Sequence, residues 1–270
     1  METKLTMNGY FTQNNVQSKF EELLGKRASG FITSVLQAVA SNDLLQKADP
    51  TTVFSAAATA ATLDLPINNN LGFAYIIPYN TKQKDGTYKV VAQFQMGYKG
   101  FIQLAQRSGQ FKTISATPIY EGQLIEQNPL TGFVFDFTVT NSNKVIGYAA
   151  YFELLNGFQK TLYMTTTELK AHGTRFSKSF KSGYGLWKDD FDSMSIKTVI
   201  KLLLSKYAPL SIDMKRAVMS DQSVINDVET EDVTYIDNTS TSEEIKEIVD
   251  DKKKAIKEKN EAGQQKIDLL

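Results

Sequence analysis

The chain has 270 residues, with 30 Lys and Arg against 30 Asp and Glu, one His and no Cys, a length that suits one or two domains. With no thiol and His172 as the only imidazole, a His/Cys zinc site, a Cys nucleophile, a disulfide scaffold and a Ser-His-Asp triad are excluded or strongly disfavoured. No apolar run nears the roughly 20 residues that cross a bilayer, and Met1 to Gly9 carries no charged region leading into an apolar signal segment, so the expectation is a cytoplasmic protein without a membrane partner.

In chain order, Val16 to Lys26 and Phe31 to Ala40 place Val16, Phe20, Leu23 and Leu24, then Phe31, Val35, Leu36 and Val39, at three- and four-residue intervals, and both read as helices. A third helix follows Pro50 through the Ala-rich run to Leu63, with Asp49 or Thr51 as its cap and Pro66 and Asn68-Asn69-Asn70 beyond its end. Leu71 to Tyr79 and Thr87 to Gln95 are rich in aromatic and β-branched residues and flank the turn signal Lys84-Asp85-Gly86, which predicts a hairpin. Met96 to Ser108 returns to helical spacing and stops at Gly109. Phe111 to Tyr120, Phe133 to Thr140, Val145 to Leu154 and Phe158 to Met164 read as strands of an antiparallel meander. A short helix over Thr167 to Ala171 precedes an aperiodic segment, Gly173 to Gly185, read as a loop. Trp187 then opens a long helix, about Asp189 to Tyr207, closed by Pro209. The fold class is α+β, an antiparallel hairpin and meander packed with helices.

Neutral overall, the chain is polarised along its length. Residues 1–219 hold 23 bases and 16 acids, and residues 220–270 hold 7 and 14. A basic body with an acidic tail suits a polyanion partner for the body. Between residues 217 and 240 there are six acids and no base, which reads as a flexible linker. Residues 243–259 recover helix formers, but Ile245, Ile248, Val249 and Ile256 are so few that this helix needs a partner surface. The division is therefore a core over 1–219 and an acidic tail over 220–270, and removing the tail is expected to spare polyanion binding by the core. A solubilising extension is the alternative for the tail.

Phosphate-gripping motifs are missing. Gly25-Lys26 is followed by Arg27, and Phe20 stands where a P-loop needs its leading Gly, so ATP use has no sequence support. Asp189, Asp190 and Asp192 are the densest carboxylate cluster of the body and would suit a Mg²⁺-dependent nuclease, yet the start of a helix already favours negative charge there. His172, beside Gly173, reads as a helix-end residue. The bases are better organised: Lys99, Gln103 and Arg107 stack at four-residue intervals opposite Tyr98, Phe101, Ile102 and Ala105. Lys197 and Lys201 repeat that spacing. Between the two helices, Arg175, Lys178, Lys181 and Lys188 alternate with Phe176, Phe180, Tyr184 and Trp187. Each stripe alone is the wet side of an amphipathic helix; together with the basic loop they describe a site for a single-stranded polyanion.

Three segments resemble a known family. Gln95-Met96-Gly97-Tyr98-Lys99-Gly100-Phe101-Ile102-Gln103-Leu104-Ala105-Gln106-Arg107-Ser108-Gly109-Gln110, with Ile114-Ser115-Ala116 and Tyr120-Glu121, closely resembles the central signature of the RecT family of phage single-strand annealing proteins. Gly185-Leu186-Trp187, Asp190-Phe191, Met194, Lys197-Thr198-Val199-Ile200 and Pro209-Leu210-Ser211 are similar to its second block, and Leu71 to Tyr79 to a strand that precedes both. The match spans about residues 50–211, with Leu186 where Pro is usual, Phe73 in place of a His and Leu202 in place of a second base.

The resemblance implies a phage or prophage recombination protein of the bacterial cytoplasm, not an enzyme, that binds single-stranded DNA without sequence preference and anneals it to its complement. No cofactor or ATP would be required, Mg²⁺ being at most a stimulant. The expected partners are single-stranded DNA and its annealed duplex, further copies in a ring or helical filament, and an exonuclease and host single-strand-binding protein reached through the tail. A passive strand-protecting protein is the alternative. Because annealing leaves bases open, the grip is expected on phosphates, through Lys99, Gln103, Arg107, Arg175, Lys178, Lys181, Lys188, Lys197 and Lys201. Lys112 is placed at the edge, and Tyr98 or Trp187 at the floor.

Overall fold

The computed structural model describes residues 6–82, 86–128, 130–139, 142–228 and 232–235. Over these residues the chain opens with helices α1 (Met7–Phe11), α2 (Asn14–Leu24), α3 (Ala28–Ala40), α4 (Asp43–Gln46) and α5 (Pro50–Thr62). Val16, Phe20 and Leu24 turn one face of α2 inward, where the Phe20 ring meets Phe11, Phe31 and Phe54 at 5.5–6.2 Å. Asp49 is the cap of α5: its carboxylate accepts the Thr51 N–H at 2.9 Å, and Pro50 occupies the first turn, where its missing N–H is not needed.

The hairpin pairs β1 (Ala74–Lys82) with β2 (Tyr88–Met96), in register from Ala74 opposite Met96 to Lys82 opposite Tyr88. Lys84 and Asp85 of its expected turn lie outside the described residues. Helix α6 (Tyr98–Arg107) follows, and β3 (Phe111–Tyr120), β6 (Val145–Leu154) and β7 (Gln159–Thr165) form an antiparallel sheet in the order β3-β6-β7. The α+β class with antiparallel sheets is as expected. The meander is not continuous, because the segment at Phe133 does not join the sheet: β5 (Gly132–Phe135) pairs with an unanticipated strand, β4 (Leu124–Asn128), in a separate hairpin.

The region expected as a loop is largely helical. A capping box between Thr165 and Glu168 starts α7 (Thr166–Phe176), which runs past Ala171, and α8 (Lys178–Lys181) and α9 (Leu186–Asp189) follow. Gly173 lets these turns close, since a Cβ there would press against the rings of Phe180 and Trp187. The long helix is α10 (Phe191–Tyr207), which starts two residues later than expected because the Asp190 side chain caps it through the Ser193 N–H at 3.0 Å. It packs on α6 and on all three strands of the sheet, burying Met194, Val199, Ile200, Leu203 and Leu204 in the main core.

The acidic linker expected after residue 217 is a third correction. Helix α11 (Ile212–Ser220) leads into β8 (Val224–Asp227), paired with β9 (Asp232–Thr234). Phe94 on β2 donates its N–H to the Ser223 carbonyl and accepts the Gln222 N–H, at 2.9 and 3.0 Å. Asp221, Val224, Ile225 and Tyr235 are buried. Local composition suggested a solvated tail, but one of its acids has two lysine partners in the core, described below. The helix expected over residues 243–259 lies outside the described residues. No helix among the described residues is long and apolar enough to cross a membrane.

Candidate nucleic-acid interface

Two glycines set the geometry. A Cβ on Gly97 would collide with the Gly72 carbonyl, and one on Gly100 with that of Phe73, so the start of α6 lies directly on the chain entering β1. The Gly97 N–H donates to the Phe73 carbonyl at 2.9 Å. This apposition brings Tyr98 and Lys99 beside Tyr75. A cavity of about 350 Å³ opens there, lined by Tyr75, Ile76 and Ile77 of β1, by Gln95 to Tyr98, and by Leu186, Asp190, Ser193, Met194 and Lys197, with Asn42 and Asn69 also on its wall. The three segments singled out in the sequence therefore converge on one recess.

The cations anticipated as a track divide into two sets. Lys99, Lys178, Lys181 and Lys188 are exposed and have no carboxylate partner among the described residues. Arg175, also exposed, lies over the Phe176 ring at 4.8 Å. Gln103 is half-buried one turn beyond Lys99. The others are engaged in the fold. Arg107 donates to the carbonyls of Leu63 and Asp64 at 2.6 and 3.0 Å, holding the end of α5. Lys112 pairs with Glu153 across the sheet at 2.8 Å.

Lys197 is a correction: it is 4% exposed, and its Nζ lies 2.8 Å from Asp221 Oδ1, while the half-buried Lys201 reaches Oδ2 at 2.7 Å. Oδ1 also accepts the Met96 N–H at 2.9 Å. Burial pulls the Lys197 ammonium down to about 8, against the attraction of Asp221. Burial would raise Asp221, but its two ammonium neighbours hold it below the ordinary carboxylate range. Lys197 therefore fastens the C-terminal segment to α10 and β2 and does not face solvent. Its position three residues from both Met194 and Ile200 placed it on the buried face, a warning that a four-residue Lys spacing alone did not give.

Trp187, expected at the floor of the track, is also core: it is 5% exposed, with Phe191, Phe180 and His172 rings at 5.7, 5.8 and 6.3 Å. Tyr98 does line the cavity. The aromatic that emerges near the basic segment is Tyr184, 62% exposed, together with Tyr75 in the cavity; neither was singled out as a site residue. His172 lies within α7, not at its end, and burial, then Lys201 and Arg175, lower its pKa to about 4, so the ring is neutral at pH 7.

The carboxylate cluster is dispersed among other tasks. Asp190 caps α10, Asp192 accepts from the Tyr148 hydroxyl, and Asp189 ends α9. Among the described residues no three His, Cys, Asp or Glu side chains stand together as a metal-holding group.

Comparison with known proteins bears on the same residues. The sequence model of the RecT family matches residues 29–236. The uncharacterized protein YqaK of Bacillus subtilis (strain 168) is 48% identical over 241 residues, 89% of this chain and 78% of that protein. Protein RecT of Escherichia coli (strain K12) is 31% identical over 190 residues, 66% of this chain and 65%, just under two thirds, of its own. The family match ends at residue 236, one residue beyond Tyr235, the last described residue.

Proposed function

This chain belongs to the RecT family, whose business is single-strand annealing recombination, and from that premise we propose that it holds single-stranded DNA by its phosphates along α7 to α9 and the start of α6, and pairs it with a complementary strand without ATP. The observation that carries this reading is the set Lys99, Lys178, Lys181 and Lys188, exposed and without carboxylate partners among the described residues; Lys99 follows Tyr98, and Lys188 shares α9 with Leu186, both of which line the recess where the three signature segments meet. Cations without carboxylate partners bind phosphate without first breaking an ion pair. Flexible ammonium groups on a surface neutralise backbone charge and leave base edges open. Arg175, over the Phe176 ring, adds a further cation on α7, Gln103 adds a hydrogen-bonding edge, and Tyr75, Tyr98 or Tyr184 supplies an aromatic face for an unpaired base. Lys197 and Lys201 act indirectly, by fixing the wall of the recess.

In this reading no cofactor is required and Mg²⁺ is at most a stimulant. Long strands are served by many copies in head-to-tail register, and the residues beyond 235 engage an exonuclease or a single-strand-binding protein of a bacterial host. The setting is the cytoplasm and the origin a phage or prophage.

The test mixes complementary oligonucleotides with the protein in the absence of ATP and follows duplex formation and strand length together. Accelerated pairing with intact strands is expected; slowed pairing would indicate a passive coat, and shortened strands a nuclease. With about four phosphates neutralised per copy, the log-log salt slope should be about −3 for single strands. Replacing Lys178, Lys181 and Lys188 by Gln should reduce its magnitude by about 2. A slope near zero in the unmodified chain overturns the phosphate grip.

A further inference from the structure

The β4–β5 hairpin stands apart from the sheet and shows two chemically different faces. Its inner face is anchored, with Phe133 and Phe135 packing on Tyr163 at 5.7 and 6.0 Å over a small separate core that includes Ile119 and Ala149. Away from that core Ile125, Leu130 and Val134 are 61, 89 and 50% exposed, and Phe137, stacked on Phe135 at 5.8 Å, is 58% exposed. Four large apolar side chains within one short hairpin form a patch, and a patch of this kind marks a contact surface. Its charge is of one sign. Residues 121–143 contain Glu121, Glu126 and Asp136 and no Lys or Arg, and Glu121 is already taken by Lys144.

A complementary surface lies at the other end of the same sheet. There a recess of about 610 Å³ is lined by Gly109, Leu154, Leu155, Phe158, Tyr207 and Pro209 among others. Leu155 and Phe158 are exposed. Its charge is of the opposite sign: Lys160 and Lys206 hold their ammonium groups 5.2 and 5.3 Å from the Tyr207 ring. The strand register fixes the separation. Phe111 pairs with Leu154 at the end bearing the recess and Tyr120 with Val145 at the end from which the hairpin springs, so ten residues of strand, roughly 30 Å, lie between them.

We propose that the β4–β5 hairpin of one copy seats in this recess of the next, with Leu130 and its apolar neighbours against Leu155, Phe158 and Tyr207, and with Glu126 and Asp136 facing Lys160 and Lys206. The inference rests on the self-association reading above and names the surfaces that perform it. An acidic apolar projection and a basic apolar recess at opposite ends of a rigid sheet do not meet within one copy. Joined head to tail between copies they make a heterologous contact, the kind that propagates into a ring or a filament, whereas two copies joined reciprocally would stop at a dimer.

The absence of Cys makes a direct test available. Leu130→Cys and Leu155→Cys chains, mixed in the presence of single-stranded DNA and a short bis-maleimide, are expected to give a cross-linked dimer that neither gives alone, and a chain carrying both substitutions a ladder of multimers. Assembly of the unmodified chain is followed in parallel by light scattering. Assemblies without a mixed cross-link, or a Leu130→Cys chain that links to itself as readily, overturn these surfaces while self-association stands. A chain that remains monomeric with and without DNA overturns both. As a second check, Leu130→Glu and Leu155→Glu are each expected to abolish large assemblies while a short oligonucleotide is still bound; assemblies that persist in both refute the contact.

Discussion

Replacing Asp221 by Asn tests the most consequential contact of the fold. The wild-type carboxylate is fully buried and accepts from Lys197, Lys201 and the Met96 N–H. The amide keeps nearly the same shape and can still accept from the backbone, so the substitution removes charge and little else. Two ammonium groups then face each other without a counter-ion. Removing one partner of a buried pair costs about 3–5 kcal/mol. Here two escapes reduce the loss: Lys201 is near enough to solvent to swing outward, and Lys197, already lowered to about 8, gives up its proton at pH 7 once the attraction of Asp221 is gone. The expected destabilisation is therefore about 3 kcal/mol, at the lower end of that range. Urea unfolding followed by the fluorescence of Trp187, the sole and buried tryptophan, reads it as a lower midpoint with an unchanged slope. Adding Lys197→Met to Asp221→Asn removes the stranded charge, and the double variant should be more stable than the sum of the single losses by about 1–3 kcal/mol. An Asp221→Asn loss below about 1 kcal/mol, the value of an exposed pair, together with additive behaviour, would falsify the assignment of this contact as a buried clamp.

Chain length gives a related expectation: a protein ending at residue 219 loses Asp221 and the Ser223 contact of β2 and should be aggregation-prone on size-exclusion chromatography. Gly97→Ala and Gly100→Ala drive a methyl group into the backbone of Gly72 and Phe73 and should each cost at least about 3 kcal/mol in thermal unfolding. Gly109→Ala, with φ of +68° and open space around it, should cost only about 1 kcal/mol, from backbone strain alone. The neutral His172 makes stability depend on acidity. Its folded pKa of about 4 lies below the ordinary 6.5, so the unfolded chain takes the proton first. Stability present above pH 6.5 is lost as pH falls toward 4, by up to about 3 kcal/mol, and His172→Phe should flatten that part of the profile. Among the cations, Lys178→Gln, Lys181→Gln and Lys188→Gln should weaken DNA binding with little change in melting temperature, and Arg107→Gln should lower the melting temperature through the freed end of α5.

Much of the fold is legible in local patterns because the relevant physics is local. The three- and four-residue recurrence of Val16, Phe20 and Leu24 reports one buried helix face, Asp49 before Pro50 reports a cap, and the limits of β3 and β6 coincide with those read from their residues. The lapses occur where a distant partner decides. Phe133 and Phe135 carry a strand signal, but not the information that their partner is β4, since the turn between β4 and β5 closes a hairpin that packs on Ile119 of β3 without pairing with that strand. The Gly173–Gly185 segment has no period of its own because its helical turns are short and packed around Trp187.

The same division explains the candidate site. Signature segments could be recognised one at a time, but their convergence on one recess depends on Gly97 and Gly100 admitting another backbone, a property of contact between segments and not of either one alone. Charge shows the limit most sharply. Lys197 and Lys201 have the spacing of a solvent-facing stripe, and Asp221 lies in a stretch with the composition of a linker; each looks exposed within its own window. Brought together, two cations and one anion satisfy one another well enough to be buried, and burial cancels both local expectations at once. Lys178, Lys181 and Lys188 have no such acid among the described residues, so their charge remains available to solvent and to any polyanion that approaches. A count of lysines therefore does not measure the DNA-binding surface; the count that matters is of lysines left over after the fold has used its share.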